Sequence, residues 1–179
     1  MYDNLEKGGA VVWLTGLSGS GKTTVADGIY TELSKRGLVC DRLDGDEIRK
    51  NINKELDFSE AGRKRNIRIA GFVAARLASH AVLVLCSFIS PYRSQRNELK
   101  TKIDNFIEIF VSAPIEVCED RDVKGLYAKA RAGEIKNFTG IDNPYEEPDN
   151  PDLILYTHQE SEEESIGKVI KFLEDNKYI

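Results

Sequence analysis

The sequence predicts a doubly wound α/β fold, a parallel sheet with helices on both faces. Two observations predict it. Short apolar, β-rich runs alternate with helical patterns along the 179 residues. The first run leads into its helix through Gly16-Leu17-Ser18-Gly19-Ser20-Gly21-Lys22-Thr23, which fits G-x-x-x-x-G-K-[ST], the phosphate-binding P-loop. Its glycines let backbone amides wrap an anion, and the strand-to-helix context places the loop at a helix N-terminus, which favours one.

Each element follows from local chemistry. Ala10–Thr15 (AVVWLT) is the first strand. A helix over 23–36 follows from the spacing of Val25, Ala26, Ile29, Tyr30 and Leu33, with Gly37 as its C-terminal cap. Residues 38–43 read as a second short strand and 47–53 as a short helix. Ser59 is placed to N-cap the helix running through Ile67, Ala70, Val73, Ala74 and Leu77. Residues 81–86 (AVLVLC) are apolar throughout, as in a central parallel strand. Arg93–Lys102 is a polar helix, 106–111 (FIEIFV) a strand, and Pro114 the opening of a short helix. Leu153–Tyr156 is the last strand, and 160–176 a closing amphipathic helix with an acidic first turn. Residues 120–150 lack apolar periodicity, so they read as a long insert, the position of a lid. The aromatics Tyr127, Phe138 and Tyr145 argue against a disordered loop there.

Length and composition suit one domain spanning residues 1–179, with 41% hydrophobic and 31% charged residues. A net charge of −5 gives no general nucleic-acid surface, and no apolar run reaches the length of a membrane span. Cys40, Cys86 and Cys118 are widely spaced and lie in or near apolar runs, so they read as buried free thiols in a reducing compartment. Met1 to Gly9 is polar rather than signal-like, and a cytoplasmic location is the default expectation.

The chemistry-bearing residues cluster where ligands sit in such folds, beyond the carboxyl ends of strands. Gly16 to Thr24 is the nucleotide-phosphate loop; Lys22 reaches the β/γ-phosphates and Thr23 offers a hydroxyl to Mg²⁺. Asp44-Gly45-Asp46 follows the second strand and offers metal coordination and a catalytic base, or else a solvated Asx turn. Arg49 falls on the next helical turn. Arg63 and Asn66 share a helix face that suits a sulfate or phosphate, or form part of an exposed basic helix start. Ser90, in Phe88-Ile89-Ser90-Pro91-Tyr92-Arg93, is a hydrogen-bonding residue in preference to a nucleophile, because no histidine lies nearby in sequence. The basic stretch with Lys124, Lys129, Arg131 and Lys136 offers cations to phosphates. Phe138 is either a stacking face for a base or a core aromatic at the lid's hinge.

These motifs together (GLSGSGKTT, LDGDEIR, FSEAGRKRNIR, SFISPYR, DVKGLYAKARAGEIKNFTGIDNPYE and EPDNPDL) resemble the adenylylsulfate kinase family over nearly the whole chain. The resemblance implies a fold like that of nucleoside monophosphate kinases and an assembly as a homodimer. It implies transfer of phosphate from Mg-ATP to the ribose 3′-hydroxyl of adenosine 5′-phosphosulfate, giving PAPS in sulfate activation. By resemblance, Gly16 to Thr24 bind ATP and magnesium, with Thr23 and Asp44 on the metal. Asp44 and Asp46 lie at the 3′-hydroxyl, and one of them is base or metal ligand. Arg49, Arg63 and Asn66 hold the phosphosulfate nucleotide, Phe58 and Phe138 sandwich its adenine, and Ile89, Ser90, Lys124 and Thr139 complete the pocket. Ser90 matches a serine described in the family as a phosphoserine intermediate; direct in-line transfer is the more economical expectation. The chain departs from the family pattern where Asp57 replaces a glycine, Gly62 an aspartate and Ile69 an arginine. Those departures keep open a related acceptor, cytidine diphosphoramidate. A catalytically silent nucleotide-binding module is a third reading, opposed by the intact Lys22, Thr23, Asp44 and Asp46. No guanine-reading N/TKxD-type motif favours a GTPase.

Overall fold

The computed structural model describes residues 8–179, so most of the polar opening stretch lies outside the described residues. Five parallel strands form one sheet in the order β2-β3-β1-β4-β5. They are β1 (Ala10–Thr15), β2 (Cys40–Asp44), β3 (Leu83–Ser87), β4 (Phe106–Ser112) and β5 (Leu153–Tyr156). The helices are α1 (Lys22–Lys35), α2 (Gly45–Asn51), α3 (Glu60–Ala78), α4 (Arg93–Lys102), α5 (Ile115–Arg121), α6 (Leu126–Arg131) and α7 (Glu162–Asp175).

Strand alternation separates two cores. Val12 and Leu14 of β1, Leu85 of β3 and Ile109 of β4 face α1 and α7. Val11 and Trp13 of β1 and Val84 and Cys86 of β3 face α3 and α4, with Trp13 stacked on Phe88 at 4.8 Å between ring centroids. All six residues of β1 are buried, which explains its unbroken apolar run in the middle of the sheet. From β1 the chain crosses to the edge strand β2, and from β3 it returns over β1 to β4. The order therefore reverses beside β1, and the crevice opens there, over the P-loop.

Most expected elements are present with small shifts in their ends. At the end of α1, Gly37 N–H bonds to Ser34 O and Leu38 N–H to Leu33 O, a Schellman closure. Ser59 caps α3 by accepting from Gly62 N–H. Strand β3 begins at Leu83 rather than at 81, because Ala81 takes a left-handed turn (φ 58°) that reverses the chain out of α3. Pro114 is extended (ψ 148°) and caps α5 from outside instead of forming its first residue. Cys86 and Cys118 are buried free thiols, whereas Cys40 is only half-buried at the sheet's edge.

The 120–150 segment is more ordered than its composition suggests. It contains α6, and its Tyr127, Ala130 and Phe138 form a small core with Cys118 of α5. Its far end is pinned by the Tyr145 and Thr15 hydroxyls, 2.9 Å apart, and by Arg93 N–H donating to Glu146 Oε2 at 2.7 Å. Among the described residues, no helix is long and apolar enough to cross a membrane.

Candidate active site

The P-loop is shaped by what happens to its carbonyls. Lys22 Nζ donates to Leu17 O at 2.6 Å, Tyr127 Oη to Ser18 O at 2.9 Å, Arg121 Nη1 to Gly19 O at 3.2 Å and Thr157 Oγ1 to Ser20 O at 2.7 Å. With the carbonyls engaged, the loop's amides and the unpaired first-turn N–H groups of α1 are the donors left for an anion. Gly21 (φ 98°, a left-handed backbone a larger residue resists) is the N-cap of α1, with no side-chain cap and no acid in the first turn, so no side chain there competes for those donors. Burial pushes the Lys22 ammonium down to about 8, an effect opposed by the nearby Cys118, Asp44 and Asp46. A cation held in that state gains strongly from an anionic ligand.

Asp44 caps α2. Its carboxylate accepts from Asp46 N–H (2.9 Å), Glu47 N–H (3.4 Å), Thr23 Oγ1 (3.0 Å) and Ser87 Oγ (2.8 Å). Burial alone would raise its pKa, but these hydrogen bonds outweigh it and hold Asp44 below the usual carboxylate range. Asp46 is exposed, and its partner is Lys124, which donates to Asp46 Oδ2. The two aspartates of one DGD motif thus differ: one is locked into the scaffold, the other faces open space and a lysine of the lid. Thr23 and Asp44 present hard oxygens side by side, a donor set that fits Mg²⁺, which takes one or two protein oxygens and completes its shell with water and phosphate. Among the described residues no group of three acidic, histidine or cysteine side chains is arranged to hold a metal unaided.

Across the crevice, Arg63 on α3 donates its Nε to Phe58 O at 2.9 Å and its other nitrogens to Thr139 Oγ1 and Asn137 O, so α3 is tied to the lid. Asn66 is fixed by Asn53 Nδ2 donating to its Oδ1 at 2.7 Å. The Arg49 guanidinium lies 4.3 Å from the Phe58 ring centroid. Burial and the neighbouring Arg63 push Arg49 below its ordinary range, so two cations are crowded on one wall. The Phe58 ring is 56% exposed, while Phe138 is 8% exposed and packs edge-on against Tyr127. Ser90 sits in a left-handed turn (φ 40°), accepts from Trp13 Nε1 at 3.1 Å and donates to Thr15 Oγ1 at 2.9 Å.

One cavity of about 890 Å³ joins these groups. Lys22, Thr23, Thr24, Asp44 and Asp46 line it, as do Ser18, Gly19 and Gly21. Arg49, Phe58, Arg63, Asn66, Ile89, Ser90, Lys124, Phe138 and Thr139 line it too. Gly16, Leu17 and Ser20 are not on its wall; Leu17 packs in the lid's core and Ser20 is fully buried. Of Lys124, Lys129, Arg131 and Lys136, Lys124 alone reaches the cavity, while Arg131 pairs with Glu119. Sequence reasoning missed Arg121, Thr157 and Ser87; each is a common residue type whose partner lies far along the chain, so no local pattern marks it. Neither Asp57, Gly62 nor Ile69 lines the cavity.

A parallel sheet with an anion loop after its first strand, an acidic pair after its second and a cationic, aromatic wall opposite defines a P-loop phosphotransferase. A family model described as adenylylsulphate kinase matches residues 8–156. An adenylyl-sulfate kinase of Halothermothrix orenii (strain H 168) is 56% identical over 96% of this chain and 92% of its own length. One of Synechococcus sp. (strain JA-3-3Ab) is 53% identical over 96% and 97%. The structure of the Mycobacterium tuberculosis APS kinase in complex with AMPPNP and APS superimposes with a TM-score of 0.90 at 46% identity, covering 93% of this chain and 98% of that one. The chain belongs to the adenylylsulphate kinase family.

Proposed function

We propose that this protein is an ATP-dependent kinase that phosphorylates the ribose 3′-hydroxyl of adenosine 5′-phosphosulfate, giving PAPS. One observation carries the proposal: the P-loop, the aspartate pair and the Arg49–Phe58–Arg63–Asn66 wall line a single cavity of about 890 Å³. The likeness to an APS kinase holding both an ATP analogue and APS supports the same pairing.

The residues divide the work. The P-loop amides and Lys22 grip the triphosphate. Thr23 and Asp44 would hold Mg²⁺, which when bound neutralises phosphate charge. Asp44 already accepts four hydrogen bonds, which suits it to a fixed ligand and not to a proton acceptor. Asp46, free of such ties, takes the proton of the attacking 3′-hydroxyl; the oxygen attacks the γ-phosphorus as the bond to the β–γ bridging oxygen breaks, and ADP leaves. Lys124, paired with Asp46, adds positive charge beside the transferring group. Arg49, Arg63 and Asn66 hold the phosphosulfate, Phe58 and Phe138 flank the adenine, and Ile89, Ser90 and Thr139 close the pocket. The departures at Asp57, Gly62 and Ile69 lie off the cavity wall, which favours the sulfate nucleotide over cytidine diphosphoramidate. We read residues 1–179 as a single kinase domain, active as a homodimer and located in the cytoplasm.

Incubating the protein with Mg-ATP and each acceptor while following ADP release tests this directly. Turnover with adenosine 5′-phosphosulfate and none with cytidine diphosphoramidate is expected; the reverse, or no turnover with either, rejects the proposal.

A further inference from the structure

Helix α3 opens without the acid that commonly completes its kind of start. Ser59 is its N-cap, and the third helical position, where a capping box places an acid that reaches back to the cap's own N–H, is Gly62. The same chain does build the full box at α7, where Ser161 Oγ accepts from Glu164 N–H and Glu164 Oε2 accepts from Ser161 N–H. At α3 the missing acceptor comes from the other side. Asp57 Oδ1 accepts from Ser59 N–H at 3.2 Å and from Ser59 Oγ at 2.5 Å, while Ser59 Oγ accepts from Gly62 N–H at 3.1 Å.

Residue 57 also occupies the space above Gly62, with its backbone carbonyl as much as with its carboxylate. A Cβ added to Gly62 would stand 2.5 Å from both Asp57 O and Asp57 Oδ1. Gly62 has ordinary helical backbone within α3, so its lack of a side chain answers a contact and not a torsion. The carbonyl would stand there whatever residue occupied position 57, so Gly62 answers the path of the loop as well as the carboxylate.

The loop it holds carries the acceptor wall. Arg49 Nη1 donates to Leu56 O (2.7 Å) and Asp57 O (3.1 Å), Arg63 Nε donates to Phe58 O, and the Phe58 ring lies under Arg49. We propose that Asp57 is a positioning residue for the acceptor site: through Ser59 it fixes the first turn of α3 and the loop bearing Phe58. The kinetic half of this proposal rests on the function proposed above; the structural half does not.

The test compares Asp57→Gly and Asp57→Ala with Asp57→Asn as the conservative control. In the nucleotide-free protein, amide hydrogen exchange of residues 59–62 should accelerate in Asp57→Gly and Asp57→Ala. Asp57→Asn, which keeps the accepting oxygen, should match the wild type. The acceptor KM should rise about fivefold in Asp57→Gly and Asp57→Ala, the scale of a lost helix cap, and stay at the wild-type value in Asp57→Asn, while kcat and the KM for ATP stay within about twofold. Exchange that is unchanged in Asp57→Gly and Asp57→Ala, or as fast in Asp57→Asn as in them, overturns the clamp. Exchange that accelerates while the acceptor KM does not move overturns the positioning role. A wild type that does not turn over adenosine 5′-phosphosulfate sinks the function proposed above, and the exchange comparison still decides the clamp.

Discussion

Arg96 Nε and Glu108 Oε1 form an ion pair at 2.7 Å between α4 and the strand β4, with both side chains almost wholly buried. Arg96 also donates to Ser90 O at 2.5 Å and to Glu146 O at 2.6 Å, so one guanidinium ties the Ser90 turn and the end of the lid to the sheet. Removing one partner of a buried pair strands the other charge. Glu108→Ala should cost about 3–5 kcal/mol. Adding Arg96→Met to it removes the stranded charge, yet leaves Ser90 O and Glu146 O without a donor, so stability should recover only in part. Urea denaturation of the three variants checks this, and full recovery in the double variant would mean those two carbonyls find other partners.

The two phenylalanines expected to flank the acceptor base differ in burial, so their truncations should differ in kind. Phe58 is 56% exposed, and Phe58→Ala should leave the melting temperature nearly unchanged while weakening acceptor binding by about 1–3 kcal/mol, the scale of base stacking on an aromatic. Phe138 is 8% exposed against Tyr127, and Phe138→Ala should destabilise the fold by about 3 kcal/mol as well as weaken the acceptor. Calorimetric melting and acceptor KM on the same samples separate the cases. An intact acceptor affinity in either variant removes that ring from the base site.

Periodic and motif-bearing segments were legible, and long-range polar partnerships were not. Ala10–Thr15, Arg93–Lys102 and Leu153–Tyr156 fall where their patterns place them, because burial on a sheet or a helix face leaves a local signature. Glu108 shows the limit. In FIEIFV it reads as one polar residue in an apolar strand, and nothing local says that Arg96 meets it in the core. The lid cations are alike in sequence; Lys124, just before α6, pairs with Asp46, whereas Arg131, at the end of α6, pairs with Glu119. The carbonyl tethers from Arg121, Tyr127 and Thr157 come from residues more than a hundred positions away in sequence from the loop they shape, beyond any local pattern.

Ser90 is committed to Trp13 and Thr15, with no base in contact to take its proton. Ser90→Ala should leave the Trp13 N–H unsatisfied and cost about 1–3 kcal/mol of stability, with turnover reduced less than about tenfold, far short of the loss of an obligatory nucleophile. Exposure to labelled ATP without acceptor should leave no label on the protein. A stoichiometric phosphoserine at this position would establish a covalent route.

Lys22 makes nucleotide binding sensitive to pH on the alkaline side. Its folded value of about 8 lies below the ordinary 10.5, so the fold favours the neutral amine. The sign follows: its unfavourable contribution to stability is fully present below about 8 and is relieved as pH rises from there towards 10.5. A bound triphosphate favours the ammonium, so binding above pH 8 takes up a proton. Affinity for ATP should then fall by up to about tenfold per pH unit above 8, the limit for one linked proton. Titration calorimetry at about pH 8.5 in two buffers of different ionisation enthalpy should show the uptake, and Lys22→Ala should abolish it along with most of the affinity. A flat affinity between about pH 7.5 and 9.5 would place the ammonium away from the phosphates.

The two aspartates should fail differently when each is made an amide. Asp44 Oδ1 accepts two backbone N–H groups, while Oδ2 faces two hydroxyls, Thr23 and Ser87. In Asp44→Asn the carbonyl can keep the first pair, and the hydroxyls can rotate to accept from the new NH₂ group. The fold should therefore survive, with a melting temperature close to wild type, while the charge proposed to hold Mg²⁺ is gone. Turnover should fall about 10²–10³-fold, as when one preorganised electrostatic partner is removed, and half-maximal activity should need more Mg²⁺. Asp46→Asn loses the proposed proton acceptor and its pairing with Lys124. Its turnover should fall about 10²–10⁴-fold, the range for a general base, with the Mg²⁺ requirement unchanged. If Asp46→Asn raised the Mg²⁺ requirement and Asp44→Asn did not, the roles would be exchanged, and the four hydrogen bonds to Asp44 would serve the scaffold alone.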